Sequence, residues 1–385
     1  MKKNLTQFLK ANLTLACVTG LLLPMVHAEE LKYPPINPAL LYWQAAAQLP
    51  KLSGEQGNEL KEIASGKRAV DPAKIESLGL DAAAGLLRKA AASSAPCDWG
   101  LVREYGPEMK TPHLSKILQI AQIAVVLGEA RLAEGKTTEG LEWFLTAHRI
   151  ARHSGAGGIL ISYLLQVANE SIALQAAARH CLGWDETTRH NYAKKLNELP
   201  PLHGLQEEYR GELMFVDWLE HLAELSDSER AQKLRRAHIV DDKEQTELPR
   251  SVANLVNPEN LRKELVVMRA IHRRMETAFG KPWKEAETEL AAIEKDIQGS
   301  NSLLLKENTP SIIDVFYRGA GIATQQTMLN LALQRGSQIN DAVAASAHDS
   351  FDGPLRLKKA EDGTLSLVAS EQRPNGKTIE LKFGK

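Results

Sequence analysis

Between Pro112 and Pro200 the chain carries apolar residues at helical spacing, interrupted only at 135–137, 154–158 and 182–185. After Pro112, Leu114, Ile117, Leu118, Ala121, Ala124, Val125 and Gly128 share one face, and Ile120, Ile123 and Leu127 widen it beyond the stripe of a surface helix. That width predicts a helix buried on two sides, ending near Glu134. The Gly135-Lys136-Thr137 turn leads into a second helix with Leu141, Phe144, Leu145 and His148, and a third follows from Ile159 to Cys181. A fourth opens at the N-cap Asp185 and stops at Pro200-Pro201. Helices of this length joined by such short turns must lie beside one another. The fold class expected is therefore mainly α, an irregular helical-hairpin array or bundle. Aromatic residues make up only 5% of the chain, which also favours helix over sheet.

Other segments follow the same grammar. Asn37 and Pro38 predict an N-cap and first helical residue, with a short helix to Leu49, and further helices are expected over 53–65 and 71–92. Past Leu202, helices are expected over 207–225, after the Ser226-Asp227 cap, after Asn257-Pro258 up to Gly280, and from Pro282. Residues 238–256 are polar and read as a loop. A last helical stretch opens at Thr309-Pro310, where Gly319, Gly321 and Gly336 predict a kink or break. The tail changes period: 355–358, 364–368 and 377–383 alternate at period two, separated by Asp362-Gly363 and Pro374-Asn375-Gly376. They predict a small antiparallel β meander. The domains expected are 1–28 as a signal peptide, 29–201 and 202–347 as helical regions, and 348–385 as the β tail.

Leu127-Gly128, Gly140, Phe144 and Ala147 stand where the tetratricopeptide repeat places its Leu-Gly pair, small residue, aromatic and alanine. Residues 114–153 thus resemble one such repeat, which implies a TPR-like helical region that binds a protein or peptide. One repeat length further along, the motif is lost at Ile161, Ser162, Ala178 and Cys181. The runs Cys97-Asp98-Trp99-Gly100, Gly106-Pro107-Glu108 and Pro112-His113-Leu114-Ser115-Lys116 resemble uncharacterised exported helical proteins of bacteria. That likeness implies export and helices but carries no activity. The lead-in from Asp349 to Leu355, with Asp362-Gly363, is similar to the C-terminal tails of type II secretion pseudopilins. In pseudopilins the tail goes on to supply carboxylates to calcium, whereas here it ends in basic and apolar residues.

The N-terminal segment 1–28 reads as a secretory signal: Lys2, Lys3 and Lys10, an apolar run from Ala11 to Leu23, and the small-residue end Val26-His27-Ala28. The alternatives are an uncleaved anchor or lipidation at Cys17. Cleavage before Glu29 implies a periplasmic or extracellular chain with no transmembrane segment. It takes 47 basic residues to 44 against 48 acidic, so nucleic acid is not expected as a partner. In that compartment Cys97 and Cys181 either form one disulfide or remain two buried thiols.

No motif calls for a metal or a cofactor. His148 and His153 are five apart and do not face one ion, and neither Ser154 nor Ser162 sits in a nucleophile elbow. The candidate binding residues are Asp98, Trp99, Glu104, Glu108 and His113, in a Gly- and Pro-containing loop between helical regions. Trp99 beside carboxylates either lines a groove or plugs the loop, with Asp98 and His113 as caps. The function expected is an exported, noncatalytic helical binding or scaffolding protein. The alternatives are an envelope hydrolase with acid and base residues from separate helices, and an accessory component of a secretion or pilus-like system. Expression with an intact export pathway is expected to yield a chain whose first residue, by mass spectrometry, is Glu29.

Overall fold

The computed structural model describes residues 35–384 apart from 103–104, 107–108, 239–252, 303–304, 307–308, 310, 373–375 and 377. Several helices start at the residues that the sequence marks as caps, among them Asn37, Asp185 and Asn257. Asn37 accepts from the Ala39 amide and opens α1 (Pro38–Ala47), and Ser53 and Gln56 form a reciprocal capping box at α2 (Gly54–Ala64). The expected 71–92 helix is two, α3 (Pro72–Glu76) and α4 (Asp81–Ala91), parted around Gly79, while Gly85 stays helical.

The helices α5 (His113–Ala133), α6 (Thr137–Ser154), α7 (Leu160–Cys181) and α8 (Glu186–Asn197) match the expected run. Ile123 to Ala130 of α5 is buried all round, as the wide apolar face requires. The α5–α6 hairpin closes on the small residues of the repeat-like motif. A Cβ on Gly128 would lie 2.6 Å from Phe144 Cε1, and one on Gly140 would lie 2.7 Å from Leu132 Cγ. The two backbones approach because neither position carries a side chain.

The expected 207–225 helix breaks at Gly211-Glu212 into α9 (Leu205–Arg210) and α10 (Leu213–Glu224). The break lets Glu212 accept the backbone N–H of Leu160 at 2.7 Å, so it caps α7 from a distance. Next come α11 (Asp227–His238), α12 (Pro258–Phe279) and α13 (Trp283–Gly299). Residues 239–252 of the expected loop lie outside the described residues. The Arg230 side chain is 2% exposed, and its guanidinium donates to the Leu222 carbonyl at 2.8 Å and to those of Leu225 and Val256. It thereby ties the Leu222 and Leu225 carbonyls at the end of α10 to the Val256 carbonyl.

The expected kink at Gly319 and Gly321 is absent: α14 (Ile312–Arg335) runs unbroken through both and stops at Gly336, in the left-handed region at φ 53°. These two glycines permit close approach. A Cβ on Gly319 would fall on the Tyr163 hydroxyl of α7, and one on Gly321 would lie 3.0 Å from Ile379 Cδ1. Short α15 (Asp341–Ala345) precedes the meander of β1 (Arg356–Lys359), β2 (Leu365–Gln372) and β3 (Thr378–Phe383), paired antiparallel in that order. Leu357, Leu367 and Leu381 are in register, as are Lys358, Ser366 and Lys382 one step along. Alternation turns these two rows to opposite faces, the leucines toward the helices.

The described residues from Asn37 onward form one compact unit with two apolar cores. One joins α1–α8 to the sheet, and the other lies among α9–α13. Helix α14 gives Ile312 and Val315 to the second core and Tyr317, Ile322 and Met328 to the first. Among the described residues, no helix is long and apolar enough to cross a membrane. Gly128→Val is expected to overpack the hairpin and lower stability by about 1–3 kcal/mol or more, read as a lower urea midpoint with unchanged slope.

Candidate functional site

Two of the residues singled out in the sequence, Trp99 and His113, form a packed plug. Trp99 lies stacked between His113 at 4.8 Å and Tyr42 at 6.0 Å between ring centroids, and its indole N–H donates to the His153 carbonyl at 2.9 Å. His113 is buried at the start of α5, and burial lowers the pKa of its ring. Asp98 does not cap a helix. Its carboxylate accepts from the Gly100 amide at 2.9 Å, while its backbone pairs with the Asn37 side chain, pinning the loop to the cap of α1. Trp99 and His113 therefore come together as core, with Asp98 as a turn residue. Glu104 and Glu108 lie outside the described residues.

Cys97 and Cys181 are free thiols with no disulfide between them. Cys181 is buried in α7, Cys97 lies partly buried in the loop after α4, and burial pushes both up to about 12. Such thiols are protonated and inert at neutral pH. The tail aspartate is equally occupied. Asp349 accepts from the amides of Phe351, Gly353 and Ser370 and from the Ser370 hydroxyl, at 2.6 to 3.0 Å, which ties the lead-in turn to β2. Among the described residues no group of three His, Cys, Asp or Glu is placed to hold a metal ion.

The polar groups that do cluster lie on α6 and α7. Glu170 is fully buried, and its Oε1 lies 3.0 Å from His148 Nδ1, 3.1 Å from the Gln326 amide nitrogen of α14 and 3.5 Å from Arg152 Nη2. Burial alone pushes this carboxyl up, but His148, Arg152 and Gln326 outweigh it and the pKa is lowered. Arg152 also donates to the Pro200 carbonyl, which joins the end of α8 to the same centre. Two further buried hydroxyl–imidazole pairs occur, Tyr42 with His153 Nδ1 at 2.8 Å and Tyr209 with His272 Nδ1 at 2.7 Å. Burial pushes both histidines down to about 4, so each ring is neutral at pH 7, and its tautomer sets which partner of the pair donates. Beside the second pair, Glu212 has its pKa raised by burial, and a cavity of about 40 Å³ leaves room for water.

A large concavity lies elsewhere, between the polar face of the meander and the segment after α2. It encloses about 590 Å³, within the range of ligand sites. One wall is Lys358, Ser366, Glu380 and Lys382 of the sheet with the Asp362 turn, and the other is Ser65 to Val70. Glu129 and Arg179 make its floor. Glu129 accepts from Arg179 Nη2 at 2.7 Å and lies 2.8 Å from His180 Nε2, while Arg179 also donates to the Ala64 carbonyl at 3.2 Å. Burial would raise the Glu129 carboxyl, but His180 and Arg179 together hold it below its ordinary value. Gly66, at φ 73°, leaves room for Arg179, since a Cβ there would lie 2.9 Å from Nη1. Reasoning from the sequence missed this groove because its walls come from near the two ends of the folded chain, and no local spacing marks them.

The chain matches no known protein family, no curated protein and no solved structure.

These shifts fix a pH dependence. His153 and His272 take up a proton near 6.5 when unfolded but only near 4 when folded, so the unfolded state binds more protons between those values and stability falls with pH. Each accounts for roughly 3 kcal/mol once fully titrated. The lowered Glu129 and Glu170 extend the loss further into acid. His203, raised by its bond to Glu208, opposes it, since its contribution is present in acid and lost as pH rises through its folded value. The urea midpoint is expected to drop from pH 7 to pH 5, and His153→Gln/His272→Gln to flatten that drop. An unchanged slope in the double variant would show that other groups control it.

Proposed function

We propose that this chain is an exported, noncatalytic binding protein that holds a segment of a protein partner in the groove between its helical body and its β meander. The observation that carries the reading is the groove itself, a concavity of ligand size with a braced floor. Arg179 is fixed by Glu129 and by the Ala64 carbonyl, so a ligand meets a preorganised guanidinium rather than a free side chain. Lys67, Gln175, Thr364 and Ser366 add hydrogen-bonding groups around it.

Binding is favoured over hydrolysis by the state of the groove's buried carboxylate. A general acid or base needs a pKa near the working pH and a lone pair free for the reacting proton. Glu129 has neither, because its pKa is lowered and both its oxygens are engaged. Export rests on the N-terminal leader, and the repeat-like hairpin supplies the rigid body from which the floor projects.

Panning a random peptide library on the full-length mature chain tests the reading. Enriched clones are expected to lose binding to Thr364→Trp, which fills the groove, and to keep it on Val266→Trp, a control at an exposed site on α12. Clones indifferent to Thr364→Trp would remove the groove as the binding site.

A further inference from the structure

Granted the ligand groove proposed above, we infer that its occupant is an acidic peptide segment with carboxylates three residues apart. The sheet wall sets the spacing. Lys358, Ser366 and Lys382 stand in one cross-strand row, so the two lysines are two strands apart across a serine. Strands lie about 4.8 Å apart, which puts the lysine positions about 9.6 Å apart on one face. A polyproline II segment advances about 3.1 Å per residue with three residues per turn, so every third side chain points the same way at about 9.3 Å intervals. Carboxylates at positions i and i+3 of such a segment, laid across the strands, reach both ammonium groups.

The charges are available for this. On the opposite wall Arg68 is bridged to Glu59 at 3.4 Å and to Glu62 at 3.7 Å. No ion pair holds Lys358 or Lys382 among the described residues, and both side chains are exposed. Arg179 on the floor is already paired with Glu129 and adds no free charge; its Nη1 is turned toward Gly66. The groove is also not uniformly cationic: Glu129, Asp362 and Glu380 line it. A chain with charge on every unit, such as an acidic polysaccharide, meets those carboxylates at every register, whereas a peptide presents amide donors between its acids. The mixed lining therefore selects a peptide over a uniform polyanion.

Fluorescence anisotropy on the full-length mature chain provides the test, with labelled peptides of four Glu-Pro-Ala repeats, whose alanine amides lie between the acids, and the Gln-Pro-Ala and Lys-Pro-Ala counterparts, of which the lysine peptide should not bind. The glutamate peptide is expected to bind, to weaken several-fold from low to high salt, and to lose at least tenfold in affinity on Lys358→Glu/Lys382→Glu. Both lysines are exposed, so circular dichroism should show the double variant folded, and Lys358→Gln/Lys382→Gln should give an intermediate loss. If the glutamine peptide binds as well and Thr364→Trp abolishes it, the acidic chemistry is wrong and the groove stands. Glutamate-peptide binding that survives both charge reversal and Thr364→Trp would overturn the groove as well. An oligogalacturonate that displaces the glutamate peptide at equal carboxylate concentration would overturn the preference for peptide, as would failure of the glutamate peptide to bind the wild type.

Discussion

Glu170 is the charge around which the molecule is organised. A carboxylate with no access to water is tolerated only where donors and nearby charge offset its lost hydration, and here Oε1 takes them from two helices. Arg152 of α6 and Gln326 of α14 donate and His148 of α6 lies 3.0 Å away, while Oε2 has no hydrogen-bond partner among the described residues. Arg152 in turn reaches Pro200 at the end of α8. One buried oxygen therefore joins the central helical hairpins to a helix from the far end of the chain. That helix also spans both apolar cores and backs the sheet, so the position of the groove's β wall follows from this polar centre.

The helices were largely legible in the sequence, since they are written in local signals. Asn37, Ser53, Asp185 and Asn257 start helices where cap chemistry says they should, and the breadth of the apolar face after Pro112 reports burial on two sides. The tail strands were equally readable, because alternation and Gly-containing turns are local too. What misled was glycine in α14. Gly319 and Gly321 read locally as helix breakers, yet they exist for Tyr163 and Ile379, whose approach no local pattern shows.

The site was harder to read for the same reason. Trp99 and His113 stood out as polar and aromatic residues in a loop, but a loop flanked by Tyr42 and His153 closes on its tryptophan instead of opening around it. Glu129 carried the opposite disguise. It occupies an apolar run, where a carboxylate reads as a helix surface position, and its partners Arg179 and His180 lie a whole helix further along. Only the pairing of α5 with α7 makes it the floor of a groove.

The sheet's place has a consequence for how the chain becomes a protein at all. Strand β3 lies against α7 and α14, so the face that α7 offers stays bare until residues 378–383 have been made. Contacts so distant along the sequence form late, because the long loop they close must be ordered first. During synthesis the first core thus stays open at its sheet side until β3 arrives. Strand β3 is thus the piece that closes this core, and a chain lacking residues 378–383 would leave an apolar face of α7 and α14 open to water.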